Sequence, residues 1–144
     1  MPEIKLTAEE LRYISLFQDF TGATVRDCIV DENSGTLIFI VNKGQAGLAI
    51  GRRGTNIKQL RKLIGKNIEV VEWADNFEDF VKNIFMPARV LGVKLVNTPS
   101  GKRTIFVTVD PRDKAIAIGK GGRNVNKAKL ILKRYYDINS VVIV

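Results

Sequence analysis

The chain has 144 residues, 45% of them hydrophobic, which is enough for one small domain or two very small ones with packed cores. It has no histidine and one cysteine, which excludes serine–histidine and cysteine–histidine catalytic pairs, internal disulfides and structural zinc sites. The net charge is +8, and residues 73–144 carry 13 basic against 6 acidic residues, an excess that favours a polyanionic partner.

The sequence gives no sign of a membrane or secretory protein. No apolar run is long enough to span a bilayer, and the N-terminal residues lack the basic-then-apolar layout of a signal peptide. Cys28 lies in an alternating apolar stretch, where we expect a buried thiol. We therefore expect a cytoplasmic protein with no membrane partner.

The first half of the chain predicts a helix, two strands, two further helices and a strand. Thr7 and Glu10 have the spacing of a helix capping box, and an apolar stripe begins at Leu11. That stripe consists of Leu11, Ile14 and Phe17. The later elements are strands over Val25–Asp31 and Thr36–Val41, a short helix, a helix over Asn56–Ile64 that ends at Gly65, and a strand over Ile68–Val71.

The second half repeats this order. Its first helix carries an apolar stripe at helical spacing and ends at Pro87. The later elements are strands over Val90–Val96 and Thr104–Val109, a short helix, a helix over Asn124–Tyr136, and a strand over Val141–Val144. Both halves therefore read α-β-β-α-α-β. This predicts an α+β protein of two domains, residues 1–73 and 74–144, each with a three-stranded sheet packed against helices.

A ten-residue motif marks the repeat. LAIGRRGTNI starts at Leu48 and IAIGKGGRNV starts at Ile116, and each has two glycines between a short and a longer helix. A tight turn alone would explain the glycines. The charges around them indicate more, since residues 51–66 hold six basic residues and no acid, and residues 112–134 hold eight basic residues and one acid. A solvated helix face usually mixes both signs, so this pattern favours binding of a polyanion near the helix N-termini.

The motif I-G-x-x-G-x-x-[IV] between two helices resembles the GXXG loop of the KH domain in its type II topology. It is complete at 50–57 and again at 118–125. The tandem resembles the KH pair of the NusA-like family. Bacterial members add an N-terminal polymerase-binding domain and an S1 domain, which these residues lack, so the resemblance is to the short archaeal form. It implies that each loop grips about four nucleotides of single-stranded RNA.

The resemblance also implies a role in transcription termination or antitermination, with RNA polymerase as a further partner by resemblance only. We expect one RNA strand of roughly eight nucleotides or more to cross both loops on a single basic surface, with modest base discrimination because no aromatic residue lies near the first loop. No cofactor, metal or small-molecule substrate is expected. The residues predicted to contact RNA are Ile50, Gly51, Arg52, Arg53, Gly54, Ile57, Lys58 and Arg61 in the first unit, and Ile118, Gly119, Lys120, Gly121, Gly122, Arg123, Val125 and Lys129 in the second.

Three alternatives stay open at this point. RNA binding could serve ribosome assembly or RNA processing instead of transcription. A carboxylate enzyme with a divalent metal could use Asp75, Glu78 and Asp79, although acids at a helix start also complement the helix dipole. A protein-binding scaffold is the third alternative. We expect a protein without catalytic activity.

Overall fold

The computed structural model describes residues 5–144, which form two compact units, one spanning Lys5–Ala74 and the other containing Asp75–Val144. Each unit has the element order α-β-β-α-α-β, which confirms the predicted α+β fold. Within the described residues, no helix is both long enough and apolar enough to cross a membrane.

The first unit is built around one three-stranded sheet. Its elements are α1 Ala8–Thr21, β1 Val25–Asp31, β2 Thr36–Val41, α2 Ala46–Ile50, α3 Thr55–Ile64 and β3 Asn67–Glu72. The sheet order is β1-β2-β3, with β1 antiparallel and β3 parallel to the central strand β2. The predicted capping box forms, since Thr7 and Glu10 bond each other's backbone at the start of α1, and Gly65 ends α3 in a left-handed conformation.

The core of the first unit forms where α1 meets the sheet. Phe17 stacks on Phe39 with ring centroids 4.2 Å apart, and Cys28 is buried beside them as expected. The prediction that Leu11 faces this core is wrong, since its side chain is 52% exposed. Leu11 lies about 90° around the helix from the centre of the stripe made by Ile14, Phe17 and Thr21, which places it at the edge of the sheet-facing side.

The second unit repeats the arrangement of the first. Its elements are α4 Phe77–Phe85, β4 Val90–Asn97, β5 Arg103–Val109, α5 Lys114–Ile118, α6 Arg123–Tyr136 and β6 Ser140–Ile143. The sheet order is β4-β5-β6, again with one antiparallel and one parallel pairing. Asn76 caps α4 by accepting a hydrogen bond from the Asp79 amide, and Val144 lies just outside the strand predicted to include it.

Aromatic side chains join α4 to the far end of α6. The Phe80 and Tyr135 rings meet at 6.0 Å, and those of Phe77 and Tyr136 at 4.7 Å, both edge to face. Such pairs add about 0.5–1.5 kcal/mol beyond the burial of their area. The two tyrosines therefore close the core and lie at the opposite end of α6 from the second glycine loop.

In the first unit, a pair of hydrogen bonds fixes the start of α2 to the start of β1. The Asn42 amide donates to the Thr24 carbonyl at 3.0 Å, and the Thr24 amide donates to the Gln45 side-chain oxygen at 2.6 Å. Both partners in the second bond are neutral. The joint between α2 and β1 therefore uses no ionised group, although the Ala46 amide at the start of α2 also donates to the Glu72 carboxylate at 3.1 Å.

In the second unit, the equivalent joint connects the start of β4 to the start of α5 and uses charged side chains. The Asp110 amide donates to the Arg89 carbonyl at 2.9 Å, and the Arg89 amide donates to Asp113 Oδ2 at 2.9 Å. The Arg112 guanidinium in turn bonds both carboxylate oxygens of Asp110, at 3.2 and 3.1 Å. These bonds, from the Arg112 side chain and then from its amide, hold the pKa of Asp110 below its usual range.

Acidification should therefore weaken the joint at Asp110. A folded-state pKa below the unfolded value means that this contribution to stability is present above the unfolded pKa of about 3.9 and is lost as pH falls through the folded value. As pH falls from 7 to below 3, the protection factor of the Arg112 amide, which donates to Asp110, should decrease, where the protection factor compares the measured exchange rate with the intrinsic rate at the same pH.

The control is Asp110→Asn, which keeps the shape of the side chain and removes its charge. This variant should be less stable than the wild type at pH 7 and should lose less of its remaining stability in acid. The same loss of stability on acidification in both proteins would show that Asp110 does not carry the effect.

Candidate nucleic-acid interface

The first glycine of the first loop lies directly against the helix that follows it. Gly51 has φ 79° and ψ 168°, a region of backbone space that is essentially restricted to glycine. A β-carbon at this position would lie 2.8 Å from Cγ and 3.0 Å from the backbone nitrogen of Asn56. The loop can reach the first turn of α3 this closely only because residue 51 has no side chain.

The second loop has the same geometry. Gly119 has φ 78° and ψ 162°, and a β-carbon there would lie 2.7 Å from the backbone nitrogen of Asn124. The two loops are therefore two copies of one structure, which supports the alignment of the two motifs residue by residue.

An asparagine in each unit holds its loop in place, and sequence reasoning missed this role. Asn56 Nδ2 donates to the Leu48 carbonyl at 3.1 Å, and Asn124 Nδ2 donates to the Ile116 carbonyl at 2.6 Å. Each bond ties the exit helix back to the short helix before the loop, and a bond of this kind contributes about 1 kcal/mol. The identity of these two residues in the repeat was the sequence signal that could have revealed it.

The third position of the two loops differs in residue type and agrees in conformation. Arg53 has φ 55° and ψ 29°, and Gly121 has φ 66° and ψ 19°. The left-handed region costs a residue with a β-carbon about 1–2 kcal/mol and costs glycine nothing. The first unit therefore keeps an arginine at a strained position, which is typical of a residue retained for binding.

The exit helices present open N-termini next to the loops. α3 begins after Gly54 and α6 after Gly122, and in the described chain neither helix has a side-chain cap or an acidic residue in its first turn. Backbone amides at a helix start and the positive end of the helix dipole favour anionic groups, phosphate in particular.

The cations of the first loop are exposed. Within residues 5–144, Arg52, Arg53 and Lys58 make no ion pair with an acidic side chain. Arg61 is different, because its Nη2 donates to the Ile68 carbonyl of β3 at 2.9 Å. One of its five donors is therefore used to hold α3 to the sheet, and Arg61 remains exposed on the same side of α3 as Lys58.

The cations around the second loop divide into two groups. Lys120, Arg123 and Lys129 are exposed and, in the part of the chain that the structure describes, have no acidic partner. Lys127 is buried, so it does not add to the exposed charge next to the loop. Lys133 pairs with Asp137 at 2.6 Å at the far end of α6.

The aliphatic residues of the two motifs also divide by position. Ile50 and Ile118, each directly before a loop, are 39% and 37% exposed and can contact a ligand. Ile57 lies in the core of its unit with Leu60, because one turn into α3 the apolar stripe faces the sheet. Val125 is half-buried, so the exposed apolar surface next to each loop comes mainly from the residue before the first glycine.

Two of the acidic residues considered for metal catalysis lie in the first turn of α4, and one of them is ion-paired. Glu78 pairs with Lys82 at 3.7 Å along α4, and the Asp79 amide is bonded by the Asn76 cap. Among residues 5–144, no three acidic or cysteine side chains come together in a way that could hold a metal ion.

Replacing the first loop glycine should destabilise the fold. Gly51→Ala should lower the free energy of unfolding by about 2 kcal/mol, because the new β-carbon is strained in φ and collides with Asn56. Gly47→Ala is the matched control: it lies in α2, nothing comes within 4 Å of its β-carbon, and it should raise stability by about 0.5–1 kcal/mol. Urea denaturation measures both changes, and the same sign for both would contradict this account of the loop.

The comparison with protein families agrees with this geometry. A model described as KH domain matches residues 11–82, and one described as NusA-like second KH domain matches residues 77–143. A solved crystal structure is 46% identical to the chain with a TM-score of 0.87, and the match covers 96% of this chain and all of the other.

Several relatives named NusA align with this chain. A protein of Methanocaldococcus jannaschii named "Probable transcription termination protein NusA" is 30% identical over 100% of this chain and 77% of its own length. A relative of the same name from Halococcus morrhuae is 35% identical over 96% of each chain. The "Transcription termination/antitermination protein NusA" of Borreliella burgdorferi is 26% identical over 65% of this chain and 19% of its own length. The chain belongs to the NusA-like family of tandem KH-domain proteins.

Proposed function

We propose that the chain is a non-catalytic factor that binds single-stranded RNA through its two glycine loops and acts in transcription termination or antitermination. The observation that carries this proposal is the pair of equivalent loops, each with exposed cations beside an open helix N-terminus. The cations and the helix N-terminus each favour binding of a phosphate backbone. Together they favour a nucleic acid whose backbone lies close to the main chain of the loop.

Single-stranded RNA fits the loops better than a duplex does. The KH fold clamps the backbone of about four nucleotides at its GXXG loop and leaves the bases to an adjacent surface. Here that surface begins with the exposed Ile50 and Ile118. Aliphatic side chains contact any base and form no hydrogen bonds with base edges, so these residues add affinity with little sequence preference.

The role in transcription comes from the relatives. Those in Methanocaldococcus jannaschii and Halococcus morrhuae are named for transcription termination and align over nearly the whole chain. We extend that role to this protein, with cytoplasmic location and contact with RNA polymerase as further parts of the proposal. Co-purification with RNA polymerase would support it, and co-purification with ribosomal subunits alone would favour ribosome assembly.

Reversing the charge of the first loop should weaken RNA binding. In Arg52→Asp/Arg53→Asp, two exposed cations become anions, and affinity for a fluorescein-labelled uridine 8-mer at about 0.1 M salt should fall at least tenfold. The slope of log affinity against log salt should become shallower by about 0.7 for each phosphate that the variant no longer neutralises. Fluorescence anisotropy titrations at several salt concentrations measure both effects.

The matched control is Lys5→Asp/Arg12→Asp, which changes the net charge by the same amount at two exposed residues outside the loops. It should lower affinity less and leave the salt slope close to that of the wild type. If the two double variants behave alike, only total charge matters and the loop is not the binding site. If wild-type binding does not respond to salt, the phosphate-based model is wrong.

A further inference from the structure

The sheet of the second unit has one face that its helices do not use. Along β5, Ile105, Val107 and Val109 are buried, while the alternate residues point to the opposite face. Those residues are Thr104, Phe106 and Thr108. Phe106 is half-buried at the centre of this face, and Thr108 beside it is exposed. We call Lys94, Thr104, Phe106, Thr108 and Val142 the outer sheet face.

The register of the sheet places a cation next to the aromatic ring. Lys94 on β4 is the antiparallel partner of Phe106, and Val142 on β6 is its parallel partner. Directly opposite residues share a face, with β-carbons about 4.5–5.5 Å apart. The exposed Lys94 therefore has its ammonium group within reach of anything that lies on the Phe106 ring.

The strands of this sheet carry charge of one sign. Residues 90–109 contain Lys94, Lys102 and Arg103 and no acidic residue, and residues 138–144 contain no acid either. A partner with negative charge is therefore favoured.

The repeat shows that this composition is specific to the second unit. By alignment, Phe106 and Thr108 correspond to Ile38 and Ile40 of β2, which are both fully buried. The aromatic ring and the exposed hydroxyl therefore occur only at the copy of these positions that is accessible to solvent.

We propose that the outer sheet face is a second RNA contact, at which a base stacks on Phe106 and Lys94 neutralises the adjoining phosphate. An aromatic ring beside a cation on an open surface is the combination that binds single strands without sequence preference. This inference rests on the proposed function, because it adds a site for the same RNA outside the glycine loops. It predicts a longer footprint than the two loops alone can fill.

The test compares two substitutions at Phe106 on two RNA lengths. Phe106→Ile installs the residue that the first unit has at this position and removes the ring, whereas Phe106→Tyr keeps a ring of the same size. For a labelled uridine 20-mer, Phe106→Ile should bind about fivefold to twentyfold more weakly than wild type, and Phe106→Tyr should bind within about twofold. For a uridine 8-mer, which the loops suffice to hold, both variants should match the wild type.

A second pair of variants tests the cation. Lys94→Gln should weaken binding of the 20-mer and reduce the slope of log affinity against log salt, and Lys94→Arg should restore both the affinity and the slope.

A direct readout comes from ultraviolet cross-linking of the 20-mer to the wild-type protein. Mass spectrometry of a tryptic digest should find RNA on the peptide Thr104–Arg112, in which Phe106 is the only aromatic residue. Unchanged 20-mer affinity in Phe106→Ile, or no cross-link on this peptide, would overturn the proposal. A Phe106→Ile variant that binds RNA normally but no longer associates with RNA polymerase would assign the face to a protein and also overturn it. The proposed function fails separately, if the loop variants bind the 8-mer as the wild type does.

Discussion

In each unit the first loop glycine rests on the first turn of the exit helix, and the rest of the interface depends on this contact. A β-carbon at Gly51 or Gly119 would come within 2.8 or 2.7 Å of the following asparagine. The contact sets the direction of the loop, leaves the start of α3 or α6 open, and turns the next two residues outward. Asn56 and Asn124 complete it by bonding back across the loop.

The charged residues fall into two groups, those that stabilise the fold and those that are available to bind a ligand. In the second unit, the joint ahead of α5 uses Arg89 and Arg112, and both are neutralised by Asp110 and Asp113. The arginines and lysines of the loops have no such partners within the described chain. In the second unit, the cations of this joint are thus paired, and the cations next to the glycines remain available to a ligand. Arg53 extends this division, because it keeps a charge where the second unit has the unstrained Gly121.

Much of this could be predicted because local signals and tertiary structure agree. The capping box at Thr7, the apolar run of β2 and the glycine motif each depend on interactions a few residues long. Predictions failed where burial depends on a distant element. Leu11 fits the helical period but is exposed, because it lies at the edge of the sheet-facing side of α1. The roles of Asn56, Arg61 and Phe106 required side-chain directions that spacing alone does not give.

The most direct test of the central claim is an amide-resolved NMR titration of the ¹⁵N-labelled protein with a uridine 8-mer. Binding at the glycine loops predicts that the largest chemical-shift changes fall on the amides of Gly51–Asn56 and Gly119–Asn124, where the loop meets the helix N-terminus. The changes at both loops should decrease together as salt is added. Changes concentrated elsewhere, with both loops unaffected at saturation, would contradict the account.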